Sequence, residues 1–395
     1  MPLGNRYVLH GLLICLPWLV ALVRGEPLFS SDPMLRINTE MHTASISELA
    51  IDAAEQTLVT AGKDKTVKVW DLRAPTFGEL KRTIRLPAEP SGNVGKVYAV
   101  DISPDGRLIA AGGWTSPTDS NMAIYIFEAT TGSMLQRIEV GIDVTHRLAF
   151  SPDGAFLAAC QGSGDFRMYP VSEAGEAEPI GELLFQDTDY DEHHIMWADW
   201  SPEGDRLVTT AFDGRLRLYA KAEETFVRQA LLEPDPDLPR TPFGCAFHPD
   251  GTRLAVGYAS NPPAITVLEV TDELRRSHTV DVSGFDRGSL STVAWSQDGE
   301  RLLAGGMHDN GEGESVVVSW EESGMGKRVP WQGQSNTING ILPLHDGRTL
   351  IGGATPGWAM LNAEGRLISD HERLSETADY RGLSGIMRAL FVSQD

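Results

Sequence analysis

The 395-residue chain is poor in cysteine, in positive charge and in long apolar runs. It has only 3 cysteines. Cys15 lies in an N-terminal apolar segment, which leaves Cys160 and Cys245, each inside a strand-like run of apolar residues. Such residues are expected to be buried thiols, not a bridge. No C-x-x-C pair and no H-E-x-x-H occurs, so zinc chemistry has no frame. Lys and Arg number 33 against 55 Asp and Glu, a net charge of -22 with no basic stripe. Nucleic acid is therefore not an expected partner, because phosphate binding needs clustered positive charge. Past residue 25 no apolar run reaches the roughly 20 residues of a spanning helix, so no membrane span is expected there. The G-x-S-x-G elbow and the phosphate-binding G-x-x-x-x-G-K-[ST] loop are both missing, which leaves hydrolase and nucleotide chemistry without a motif.

What is present describes a folded, turn-rich β protein. Hydrophobic residues make up 41% and charged residues 22%, too apolar for a wholly disordered chain. The 40 glycines and 23 prolines show no three-residue period, so collagen is excluded. Residues 1–25 read as a secretory signal peptide. Arg6 supplies the positive start, Val8 to Val23 the apolar stretch, and Val23 and Gly25 the small residues before a cut at Glu26. An uncleaved anchor is the alternative. The segment is short for one and contains His10 and Pro17. The expected location is outside the cytoplasm, periplasmic or extracellular.

The remainder repeats. AVDISPDGRLIAAGG (99–113), LAFSPDGAFLAAC (148–160), ADWSPEGDRLVTT (198–210), CAFHPDGTRLAVG (245–257), VAWSQDGERLLAGG (293–306) and ILPLHDGRTLIGG (341–353) share one pattern, with a degenerate first copy at 49–62. Their acidic turn positions are Asp105, Asp153, Glu203, Asp250, Asp298 and Asp346, and steps of 47 to 51 residues separate the copies. Pro sets φ at one corner, Asp bonds back to the turn backbone and Gly takes a positive φ. A second strand pair completes each copy, as in 66–72 with 80–86. Four short strands per unit and no helical period predict an all-β chain: a seven-bladed β-propeller of four-stranded antiparallel blades over 26–384.

The first copy, from Met41-His42 to Trp70-Asp71, resembles the WD-repeat family. The resemblance implies that His42, Thr60, Asp64 and Trp70 form that family's structural hydrogen-bond tetrad. Thr209, Asp213 and Tyr219 keep three of its positions in the fourth copy, with Asp191 where the His would sit. The Trp-Asp pair itself occurs once. The overall pattern is similar to exported bacterial WD-repeat proteins, some joined to a second propeller or a caspase-like peptidase. In such rings an N-terminal strand often completes the last blade. Leu35–Asn38 is the expected strand, although Gly365–Ser369 offers the last copy a fourth strand of its own. Residues 385–395 restart the repeat, and we expect a further repeat truncated at Asp395; a native last strand packed on the ring is the alternative.

Candidate functional residues lie in the loops. Asp187, Asp189, Asp191, His193 and His194 crowd a stretch of eight residues. This is read as a solvated acidic loop, with no metal expected; Asp191, His193 and His194 are the candidates should one bind. The 309–314 loop lacks the spacing of a calcium loop. Trp114, Trp331 and Trp358 lie in or beside loops and are candidate partner anchors, whereas Trp200 and Trp295 are expected in the core. The leading expectation is an exported, non-catalytic scaffold binding a protein partner, with no cofactor. Two alternatives stay open: a propeller enzyme or metal binder using the 187–194 loop, and the regulatory propeller of a longer caspase-like peptidase.

Overall fold

The computed structural model describes residues 41–371 apart from 74–77, 89–91, 119, 173–174, 240, 286–287 and 308–313. The segment 1–25, the strand read at Leu35–Asn38, most of the 308–314 loop and the restart at 385–395 lie outside the described residues.

Seven four-stranded antiparallel sheets form, each taking its strands in chain order. The innermost strands are Ile46–Ile51, Val97–Ile102, Thr145–Phe150, Ile195–Trp200, Pro242–Phe247, Thr292–Trp295 and Ile338–Pro343. Each packs on the next around a central channel, and the seventh packs on the first. The chain is an all-β, seven-bladed propeller. The outer strand of the last blade is Leu367–Asp370, from the same repeat as its other three strands.

No blade has a core of its own. The buried apolar residues form seven clusters, and each joins two neighbouring blades. The closing cluster brings Leu49, Leu58 and Trp70 against Leu350, Trp358 and Met360. Gly340 and Gly352 make room for it: a Cβ on either would lie within 2.8 Å of Leu49. Trp70 and Trp358 meet edge to face with ring centres 5.7 Å apart.

Antiparallel order puts the inner hairpin turns of all blades on one face, the turn face. The connections from second to third strand and from blade to blade lie on the other, the loop face. Turn chemistry is as its residues dictate. Ser103 Oγ accepts the Leu108 N–H at 2.9 Å and donates to Asp105 at 2.5 Å, and Gly106 takes φ +71°. In blade 4 the Ser201 hydroxyl donates to Asp205 at 2.7 Å, not to Glu203. The degenerate first turn substitutes Asp52, which accepts the N–H groups of Gln56 and Thr57 at 2.7 and 3.0 Å.

An innermost strand is also an edge strand, and its channel side has no strand to pair with. Side chains of the neighbouring blade supply the partners. Glu48 accepts the Val100 N–H at 2.9 Å, Asp101 that of Phe150 at 2.6 Å, and Asp199 that of Phe247 at 2.7 Å. Trp200 donates to Ala149 O at 3.1 Å and Trp295 to Ala246 O at 3.0 Å. Gln297 donates to Pro343 O at 2.9 Å, and Asn339 to Ile46 O at 2.7 Å across the closing interface. Cys160 and Cys245 are free, buried thiols, and burial pushes both up in pKa.

Enclosure in the channel raises the Asp101 carboxyl to about 7 and that of Asp199 to about 6, against the backbone N–H groups that favour their charged forms. Between the unfolded value near 4 and these values the folded chain binds more protons than the unfolded one, so each carboxyl makes stability fall as pH rises. His146 acts oppositely, because burial lowers its pKa to about 4. Asn at position 101 cannot ionise. The stability of Asp101→Asn relative to the native chain should therefore rise from about pH 4 to about pH 7 in thermal melts and level off above that, and a pH-independent difference would exclude a raised Asp101.

Candidate interaction face

The loop face is held by hydrogen-bonded struts. In blade 1 the Trp70 indole donates to Thr60 Oγ1 at 3.0 Å, Thr60 donates to His42 Nε2 at 2.8 Å, and His42 Nδ1 donates to Asp64 at 3.0 Å. This direction places the His42 proton on Nδ1. Asp64 also accepts the N–H of Thr43 at 3.0 Å and the hydroxyl of Thr66 at 2.8 Å. Burial alone would raise the Asp64 pKa, yet His42 and these donors hold it below the usual value. The four residues thus tie the loop entering the blade to the turn after its second strand.

Blade 4 solves the same problem with other atoms. Tyr190, not Asp191, occupies the place of the histidine. Its hydroxyl lies 2.8 Å from Thr209 Oγ1 and 2.7 Å from the Tyr219 hydroxyl, which donates to Asp187 at 2.9 Å. Asp213 accepts from the fully buried Arg217 at 2.6 Å, and that guanidinium stacks 3.8 Å over the Tyr190 ring. Asp191 is exposed and pairs with Arg215 at 2.8 Å. A phenol reaches across the buried interface where a carboxylate would need a charged partner.

These struts frame the channel mouth. At the loop-face end of the innermost hairpin, six blades carry a register shift. The residues at these bulges are Ser47, Tyr98, His146, Met196, Phe243 and Asn339. All are half-buried. A bulge breaks the ladder and re-aims a side chain. From blade 2 to blade 5 they build a continuous aromatic arc. Tyr98 stacks beside His146, His146 Nε2 lies 2.9 Å from His194 Nδ1, His194 stacks beside Phe212, and Phe212 approaches Phe243 at 6.4 Å. Phe212 is 36% exposed, and Ile142 and Met307 stand exposed on the same face. Beneath the arc Arg147 of blade 3 pairs with Glu48 of blade 1, donates to Ala198 O at 3.3 Å and lies 4.1 Å over the Trp197 ring of blade 4.

The other sequence candidates sit elsewhere than expected. Trp358 is fully buried, stacked on His371 at 4.0 Å in the closing interface, and is no surface anchor. Trp331 is only 7% exposed, because Gly365 leaves space for its ring to lie flat. Trp114 is half-buried against the core between blades 2 and 3. Asp187 and Asp189 are neutralised by Arg228 at 3.2 and 2.8 Å. His193 turns to the Asp191 carbonyl at 2.7 Å. So Asp191, His193 and His194 do not converge, and no group of three metal-ligating side chains occurs among the described residues. The arc itself went unread in the loops, but a signal exists. Ser47, Tyr98, His146, Met196, Phe243, Ser291 and Asn339 each stand seven residues before the turn position of their copy.

Three segments, 35–71, 83–125 and 186–220, match the family described as WD domain, G-beta repeat. These three segments carry WD40 repeats. Two of the matched segments contain the struts of blades 1 and 4. Among similar proteins, groucho of Drosophila melanogaster is 25% identical over 222 residues, covering 56% of this chain and 27% of that protein. Cross-pathway control WD-repeat protein 2 of Flammulina velutipes is 26% identical over 46% of this chain and 54% of its own. Small ribosomal subunit protein RACK1 of Caenorhabditis elegans is 26% identical over 46% and 52%. The chain spans about half or less of the length of these relatives, all eukaryotic. No helix among the described residues is long and apolar enough to cross a membrane.

The two struts give a graded expectation. Asp64→Ala removes the charged acceptor of the buried His42 N–H, which keeps only the Thr66 hydroxyl at 3.3 Å, and should cost about 2–4 kcal/mol, and Tyr190→Phe removes two buried hydrogen bonds for about 1–3 kcal/mol. Asp191→Ala, at an exposed ion pair, should cost less than about 1 kcal/mol. Urea unfolding of the three variants checks the order.

Proposed function

We propose that this propeller is an exported, non-catalytic scaffold that binds a protein partner across the loop-face channel mouth. The aromatic arc from Tyr98 to Phe243 carries the reading. It is a contiguous row of half-exposed rings on four rigid blades, and aromatic side chains supply contact area at low entropic cost. The acids of the 187–194 loop are engaged by Arg215 and Arg228, which supports a structural part for that loop over a catalytic one. The relatives agree in kind: one is named as a protein of the small ribosomal subunit and another as a subunit of a translation initiation factor, each part of an assembly. Export rests on residues 1–25 alone, and the likeness to exported bacterial proteins rests with it.

A photo-crosslinking residue at position 212 should capture a protein of defined mass in the native cells, whereas the same residue at Met325 on the turn face should not. Tyr98→Ala should lower that capture at least tenfold without shifting the melting temperature. Equal capture at both positions would defeat the loop-face reading. Export has its own check: the mature chain should begin at Glu26, and an intact leader on cytoplasmic protein would refute it.

A further inference from the structure

We propose that His146 and His194 form a two-imidazole clasp for a borderline transition-metal ion such as Zn²⁺, joining blades 3 and 4 at the channel mouth. The two rings come from separate blades, yet His146 Nε2 and His194 Nδ1 converge to 2.9 Å. A tetrahedral ion bound at about 2.0–2.1 Å to each nitrogen needs them about 3.3 Å apart. An opening of a few tenths of an ångström, with both rings tilting so that their lone pairs meet off the N···N line and the shared proton moving to a ring's other nitrogen or to solvent, admits it. His194 can supply that movement because it is exposed and lies just before the inner strand of blade 4.

The rings are held in place to receive the ion. His146 sits at a bulge, which turns it out of the ladder toward blade 4, with Tyr98 stacked beside it at 6.5 Å. Phe212 backs His194 at 6.3 Å. The donor type selects the metal. Asp187, Asp189 and Asp191 are occupied by arginines, and Asp143, whose charge acts on His146, is a single carboxylate, so Ca²⁺ and Mg²⁺ lack the six or more oxygen ligands they take. Imidazole suits Zn²⁺, Ni²⁺ and Cu²⁺. With two protein ligands, the remaining positions fall to water or to a donor from a bound molecule, so binding is exchangeable. The clasp is independent of the scaffold reading, because it concerns the chain without a partner.

Calorimetric titration of the untagged, chelator-stripped protein with ZnCl₂ tests it. The expected result is one saturable site per chain, weakened at least tenfold in His146→Ala and in His194→Ala and unchanged in His193→Ala. CaCl₂ should give no heat. His194 is exposed, so His194→Asn keeps the fold intact, and Zn²⁺ should raise the melting temperature of the native chain but not of that variant. Absence of saturable binding would reduce the pair to a hydrogen bond between imidazoles and overturn the proposal. Binding that survives both substitutions, or that is lost in His193→Ala, would overturn it as well.

Discussion

The edge of the innermost strand is the constraint from which the molecule is built. A four-stranded blade leaves one row of backbone groups facing the channel and both faces of its sheet apolar. Neither can be met within the blade. The neighbouring blade meets both, with a shared apolar cluster and a side chain that reaches an inner-strand N–H or carbonyl. Each such bond contributes only about 1 kcal/mol net, but leaving the buried group unpaired costs about 1–3 kcal/mol. The interfaces are thus mutually dependent, and the last must resemble the others. Trp70 against Trp358, with glycines opposite Leu49, is how blade 7 comes to fit blade 1.

The two faces carry different burdens as a result. On the turn face local bonds close each hairpin: a serine, an acid and a glycine in blades 2, 3, 4 and 6, His248 or Leu344 in place of the serine in blades 5 and 7, and Asp52 in blade 1. On the loop face the bulges break the ladder at equivalent points, and the side chain at each is released from packing. Struts then fix the surrounding loops, by His42 and Asp64 in one blade and by Tyr190 and Arg217 in another. Rigid support beneath variable side chains is the arrangement in which binding surfaces are found.

This division explains what could be read in advance. Blade number and turn chemistry are local or periodic properties, and the repeated turn spacing exposes them; the four residues of the blade-1 strut are reached through the resemblance of the first copy to the WD-repeat family. The misreadings concern quantities that depend on another blade. Asp191 aligns with a histidine by position, but the space at Thr209 is filled by the phenol of Tyr190 one residue earlier, because a loop's length does not fix which side chain turns inward. Trp358 looks like a loop residue until the closing interface is assembled over it. Trp331 is buried by a glycine 34 positions away. The bulge residues were hidden for another reason: a single-residue slip leaves the apolar alternation of the copies intact, and only their fixed distance to the turn betrays it.

Arg147 decides where on the ring function can reside. It leaves blade 3, pairs with Glu48 on blade 1, and rests on Trp197 of blade 4, so one cation ties three blades across the channel. A guanidinium buried this way needs its partners, since an unpaired charge there would cost several kcal/mol. The same charge helps Asp199 against the desolvation that raises its carboxyl, while Asp101 lacks that help and is raised further. An arginine that joins three blades and two enclosed acids with raised carboxyls belong to the structural core. Ligands that approach along the axis meet Arg147 and Trp197 as a floor, and what remains to contact them is the rim above: the phenol, the two imidazoles and the two phenyl rings that the bulges and loops of blades 2 to 5 hold at the mouth.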